Sequence, residues 1–236
     1  MKTRKKSFSD ILEDTRIRTR RKLLKKIPSW AGVEGLEFPS SLSLEQCSSE
    51  ATATFKARLI KEKFAHPDTI CDLTCGLGVD SWAFSAIASK VISFERGKDL
   101  AEAVRNNYSA LKADNIDLRC EDVSSLDTLP ECDLFYADPA RRDSLGKKVF
   151  LLEDCSPDIT AMMPLMLSKA PSVMLKLSPV ADLTMLCTRL GRNLEDIHIV
   201  SVKSEVKELL CILGRDITDR VRITASELDT GGSPVG

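Results

Sequence analysis

From residue 68 onward, short apolar runs alternate with segments of helical period. This alternation constrains the fold more than any other feature, because it is the pattern of β-α-β units with parallel strands. The expected strands are 69–73, 90–94, 116–120, 133–137, 172–177, 196–202 and 207–213. Helices are expected near 79–89, 98–112 and 157–169, and again after Ser178-Pro179. In the second of these, Leu100, Val104, Tyr108 and Leu111 recur on one side. In the third, Ser156 reads as the cap and Pro157 as the first helical residue. About five residues separate the last two strands. A parallel crossover needs a dozen or more, so this pair is expected to be antiparallel. The fold class is therefore α/β, a doubly wound seven-stranded sheet with an antiparallel last strand.

The segment ahead of this sheet is different. Residues 1–30 carry eleven cations against three anions, a balance of +8 that leaves −9 for the remainder of a chain of net charge −1. Such asymmetry suits a polyanionic partner. It also suits a solvated helix, because Ile11, Ile17, Leu23 and Leu24 are spaced to anchor one side. Glycine and proline at 28–39 mark a loop, and an Ala-rich helix is expected over 50–64. The domain reading is a small helical leader over 1–45, a catalytic-type domain over 46–217 and a flexible tail over 218–236.

Several classes are disfavoured at this point. No apolar run approaches the roughly 18 residues of a spanning helix, and the charged start lacks a secretory h-region, so a cytoplasmic protein without membrane contact is expected. The eight cysteines form no Cys-x-x-Cys pair and mostly sit in apolar runs, as reduced core residues do. With only His66 and His198, no zinc set or Ser-His-Asp constellation is apparent, and no metal is expected.

Doubly wound sheets bind ligands beyond the carboxyl ends of their strands. After the first strand stands Asp72-Leu-Thr74-Cys75-Gly76-Leu-Gly78, with glycines where backbone must turn tightly and admit a ligand. The run Gly76-x-Gly78-x-x-Ser81 departs from a dinucleotide loop, which wants glycine at the third place. Glu95, followed by Arg96, ends the second strand nineteen residues beyond Gly76, where an acid can accept both hydroxyls of an adenosine ribose. Asp122, with Val123 beside it, follows the third strand and can accept from an adenine amino group. Asp138-Pro139-Ala140-Arg141-Arg142 follows the fourth. These positions, in this order, fit an adenosine ligand that need not carry a pyrophosphate.

Over residues 46–214 these pieces resemble the class I S-adenosylmethionine-dependent methyltransferases, whose sheet is Rossmann-like. More narrowly, Pro28-Ser-Trp-Ala31, Leu42–Glu50 and Tyr136–Arg142 resemble a bacterial family of uncharacterised methyltransferases that commonly carry a THUMP-like RNA-binding domain after the catalytic one. The expectation here is the catalytic domain without the THUMP-like one. The resemblance implies S-adenosyl-L-methionine as cofactor, held by Asp72, Thr74, Cys75, Gly76, Gly78, Glu95, Arg96, Asp122, Val123 and Asp138. It further implies that Ser48, Ser49 and Glu50 face the methionine end.

The acceptor corner is then Asp138-Pro139 with Arg141 and Lys176. Amino-methylating enzymes place an aromatic residue after the second proline of this motif; Asp-Pro-Ala-Arg lacks it, which speaks against amine methylation. The stretch Lys176-Leu-Ser-Pro179 lacks the cysteine of 5-methyluridine enzymes, which excludes covalent pyrimidine chemistry. Arg141 can stack on a base or bind phosphate. Lys176 can touch a substrate phosphate, lower an acceptor's pKa, or simply pair with Asp138. Arg141, Arg142, Lys147, Lys148 and the basic residues of 1–30 make RNA the expected partner. The rival readings are a non-catalytic RNA-binding scaffold on the same fold and a nicotinamide oxidoreductase.

Overall fold

The computed structural model describes residues 19–141 and 152–235. Its elements are α1 (Ser41–Gln46), α2 (Glu50–Phe64), β1 (Thr69–Asp72), α3 (Val79–Ser85), β2 (Lys90–Phe94), α4 (Lys98–Ala110), β3 (Ile116–Arg119) and β4 (Leu134–Ala137). These are followed by β5 (Ala140–Arg141), β6 (Cys155–Ser156), α5 (Ile159–Lys169), β7 (Ser172–Leu177), α6 (Leu183–Leu190), β8 (Leu194–Val202), β9 (Glu205–Gly214) and β10 (Arg222–Leu228). The main sheet has eight strands in the order β10-β8-β9-β7-β4-β1-β2-β3, and β5 and β6 form a separate antiparallel pair.

The seven expected strands are present. β1, β2, β3, β4 and β7 run parallel, and β9 is antiparallel to both β7 and β8. Strand order reverses between β1 and β4, which sets a crevice above their carboxyl ends.

The apolar runs are continuous because the middle strands are covered on both faces. Ile70, Leu134, Tyr136 and Met174 point to one side, where Phe84 and Ile60 meet them. Cys71, Phe135, Val173 and Leu175 point to the other, against Ile159, Met166 and Leu186.

The leader is not a mere appendage. Residues 19–26 are helical, and Leu23, Ile27 and Trp30 enter the first of these cores, with Trp30 edge-on to Trp82 at 5.7 Å. The packing therefore crosses the boundary expected at 45.

Three expectations are corrected. The tail expected to be flexible contains β10, which pairs in parallel with β8 from Arg222↔Asp196 to Leu228↔Val202. Leu228 is buried against Phe55, Val200 and Leu210. The helix expected from Ser156-Pro157 begins two residues later, with Asp158 accepting from the Ala161 N–H at 3.1 Å. Ser156 instead pairs with Ala140 across β5 and β6. The turn between β8 and β9 is shorter than expected, being Lys203 and Ser204 alone, at φ 55° and 60°. Two successive left-handed residues make the tight turn that matches strand twist.

If β10 is integral, Leu228→Ala should destabilise the protein by about 2–4 kcal/mol, as for other buried leucines. Urea unfolding checks this; an unchanged midpoint would restore the frayed-tail reading.

Candidate active site

The loop after β1 is held from beneath by Asp72. Its Oδ1 accepts from the Thr74 N–H at 3.0 Å, and its Oδ2 accepts from Ser81 Oγ at 2.6 Å. Ser81 Oγ is also 2.7 Å from Ser93 Oγ on β2. The serine at the third glycine position thus bonds the first turn of α3 to β1 and β2. Asp72 is fully buried, and burial pushes its carboxyl up to about 7.

Gly76 and Gly78 have φ of 55° and 83°, in the region glycine tolerates best. A Cβ on Gly78 would lie 2.4 Å from Tyr108 Oη, because α4 packs against the loop there. Cys75 Sγ lies 3.3 Å from the same hydroxyl, inside the protein.

At the end of β2, Glu95 accepts from two backbone N–H groups, Gly76 at 3.0 Å through Oε2 and Gly97 at 2.7 Å through Oε1. After β3, Asp122 is exposed and caps a short turn, its Oδ1 taking the Ser124 N–H at 2.9 Å. After β4, the Asp138 N–H donates to Thr74 Oγ1 at 2.6 Å, and Lys176 Nζ forms an ion pair with Asp138 Oδ2. Burial by itself would lower the Lys176 pKa, but the carboxylates of Asp138, Glu208 and Asp80 outweigh it and hold the ammonium above its ordinary value.

Thr74, Glu95, Arg96, Asp122, Val123 and Asp138 line one cleft at the switch point. Buried Phe94 and Val123 supply an apolar wall. Ser156 and Pro157 complete it, and the Arg96 guanidinium donates to Ser156 Oγ at 3.2 Å. Sequence reasoning missed these two because their local signal is that of a helix start.

Other expected residues lie elsewhere. Asp72 and Cys75 are buried under the loop and do not line the cleft. Ser49 caps α2, accepting from the Thr52 N–H at 3.2 Å, and Glu50 accepts from the Ser29 N–H at 2.9 Å. Ser48 donates to Asp80 at 2.6 Å. These three residues do not line the cleft with Glu95; Ser48 and Ser49 border a separate opening that also contains Lys176. Pro139 is buried. Arg141 lies on β5. Arg142, Lys147, Lys148 and residues 1–18 lie outside the described residues.

Beneath the corner is a charged network that the sequence did not announce. Lys56, fully buried, faces Glu208 at 2.8 Å and Asp80 at 3.2 Å. The Tyr136 hydroxyl donates to Asp80 at 2.8 Å. Burial would raise the Asp80 pKa, but Lys56, Lys176 and these donors bring it below its ordinary value. The one local signal was a lysine inside the Ala-rich helix.

No family model matches the chain, and none of the curated proteins does. Solved structures do. A candidate methyltransferase from Porphyromonas gingivalis W83 is 30% identical over 92% of this chain and 54% of its own, with a TM-score of 0.74. A candidate class I S-adenosylmethionine-dependent methyltransferase from Listeria monocytogenes is 12% identical over 92% of this chain and 73% of its own, at 0.57. A candidate RNA methyltransferase from Pyrococcus horikoshii is 13% identical over 80% and 97%, at 0.54. This chain therefore has the class I methyltransferase fold. It spans about half the length of the Porphyromonas protein. Among the described residues, no helix is long and apolar enough to cross a membrane, and no group of three potential metal ligands occurs.

The Asp72 carboxyl has a definite pH signature. In the unfolded chain it releases its proton near 3.8, and in the native protein near 7. Between these values the native state binds more protons, so this contribution is complete below the lower value and is lost as pH rises through the upper one. In urea unfolding across that window, the stability of the wild type relative to Asp72→Asn should fall by about 1 kcal/mol per pH unit. A pH-independent difference would contradict it.

Proposed function

We propose that this protein is an S-adenosylmethionine-dependent methyltransferase acting on RNA, within the bacterial methyltransferase family that Leu42–Glu50 and Tyr136–Arg142 resemble. The observation that carries the reading is the gathering of Glu95, Asp122 and Asp138 around one cleft, with Asp138 held by Lys176. When bound, the cofactor supplies a methyl carbon activated by a sulfonium.

The residues present suit such a ligand. After accepting the two backbone N–H bonds, the Glu95 carboxylate keeps lone pairs for ribose hydroxyls. Phe94 and Val123 offer an apolar surface for adenine, and Asp122 Oδ2, without a hydrogen bond among the described residues, is free to accept its amino group. Gly76 turns the loop through a φ of 55°, and the space beside it is open, with nothing closer than 3.9 Å to a Cβ position, which leaves room for a methionine chain.

The acceptor is to be aligned at Asp138, whose backbone is fixed by Thr74 and whose carboxylate is fixed by Lys176. With its raised pKa, Lys176 stays charged at neutral pH and does not serve as the base. Asp138 is left to accept a hydrogen bond, or the proton, from the acceptor. RNA is favoured because the helix over 19–26 buries Leu23 while Arg20, Arg21 and Lys25 face solvent. The fold is shared with the candidate RNA methyltransferase from Pyrococcus horikoshii.

Calorimetry with S-adenosylmethionine should detect binding, and Glu95→Ala should weaken it by about 1.5–3 kcal/mol through lost charged hydrogen bonds. Incubation with labelled cofactor and total RNA should transfer label, and Asp138→Ala should abolish the transfer while leaving the fold intact. Cofactor and RNA binding without transfer would favour the scaffold reading instead.

A further inference from the structure

A second cavity, of about 900 Å³, opens beside the site. Its walls are the helix over 19–26, the Glu45–Ser49 segment and the β8–β9 hairpin, and Lys176 stands on its floor. Lys176 pairs with Asp138, which lines the first cleft. The ion pair is therefore the partition between the two cavities. A donor held on one side and an acceptor entering from the other would meet there.

The second cavity carries an excess of uncompensated positive charge. Lys25, Lys26, Lys203 and Lys207 line it above Lys176. Of the acids beside them, Glu45 pairs with Lys22 and Glu208 with Lys56, while Glu205 pairs with Lys207 itself, so the cations of the lining without an acidic partner among the described residues are Lys25, Lys26 and Lys203. Lys26 has no acidic partner among the described residues; its ammonium donates only to the carbonyls of Leu44 and Glu45. Burial lowers its pKa, and Lys176 and Lys207 push in the same direction. Converging ammoniums that repel one another across a wide opening form a site for an anion.

We propose that this cavity is the path by which a single strand of RNA reaches the Asp138–Lys176 corner, with Lys26, Lys203 and Lys207 gripping its phosphates. The inference rests on the methyltransferase reading for its direction of entry. It assigns the entry to this face rather than to the basic residues near 142–148. The hairpin suits the role, because its turn residue Lys203 is exposed and both turn residues are locked in left-handed backbone.

The test is binding of a short fluorescent single-stranded oligoribonucleotide across a salt series. Lys203→Ala/Lys207→Ala, at the exposed end of the β8–β9 hairpin, should lose at least about tenfold in affinity, with the salt slope reduced by about 1.4 for two lost phosphate contacts. Lys26→Ala should add to the loss, and Lys207→Glu should exceed Lys207→Ala. Lys61→Ala/Lys98→Ala, which removes two cations away from the cavity, should change little. Undiminished binding by the hairpin variant would overturn the proposal and move the path to another basic segment. No binding by the wild type would overturn both this path and the choice of RNA, while calorimetry with the cofactor would still decide the methyltransferase reading separately.

Discussion

The placement of Lys56 is the constraint on which the rest of the structure depends. A fully buried ammonium is costly unless it is paired, and here Asp80 and Glu208 pair it from two different elements. Removing one partner of such a group typically costs about 3–5 kcal/mol, because a charge is left uncompensated. The demand for pairing locks α2 onto the start of α3 and onto β9, with Ser48 and Tyr136 as additional donors to Asp80. Together with Asp138, which contributes most, the same two carboxylates hold the Lys176 ammonium above its ordinary pKa. One network thus joins the N-terminal layer to the sheet and sets the electrostatics of the acceptor corner.

The loop after β1 follows a related logic. Its sequence reads as a ligand motif, yet Asp72 and Cys75 serve the loop itself. Asp72 holds Thr74 and Ser81, and Thr74 in turn holds the backbone of Asp138. The glycines matter for two separate reasons: Gly76 takes a left-handed φ of 55°, whereas Gly78 also makes room for Tyr108. Glu95 acts on both sides, accepting from the loop while facing the cleft. A polar motif at the top of a sheet is therefore partly an internal scaffold, with only some members left to touch a ligand.

Legibility tracked the number of buried faces. β1, β2 and β4 are covered on both sides, so their apolar runs are unambiguous. β10 is an edge strand of mixed character, Arg-Ile-Thr-Ala-Ser-Glu-Leu, with most side chains at least partly exposed. Its pairing with β8 is a tertiary fact that a local pattern does not carry. The β8–β9 turn was blurred because Lys203-Ser204 lacks the asparagine or glycine that usually marks left-handed turns. Ser156-Pro157 resembled a helix start, but pairing with β5 drew Ser156 into a strand and left Asp158 as the cap.

What the sequence by itself determined was the order of elements, the antiparallel closure and the residues that follow each central strand. Hydrophobic period and connection length are local quantities, and they specify these features wherever the chain folds alone. What only the tertiary structure decided was which of those residues share a cleft. Glu95, Asp122 and Asp138 meet because β2, β3 and β4 end along the same edge of the sheet, whereas Ser48 and Ser49 border a different cavity. The Lys56 network and the second cavity arise from elements as distant as residues 26, 56, 80 and 207. Charge pairing and cavity shape depend on distances through space, and separation along the chain does not encode them.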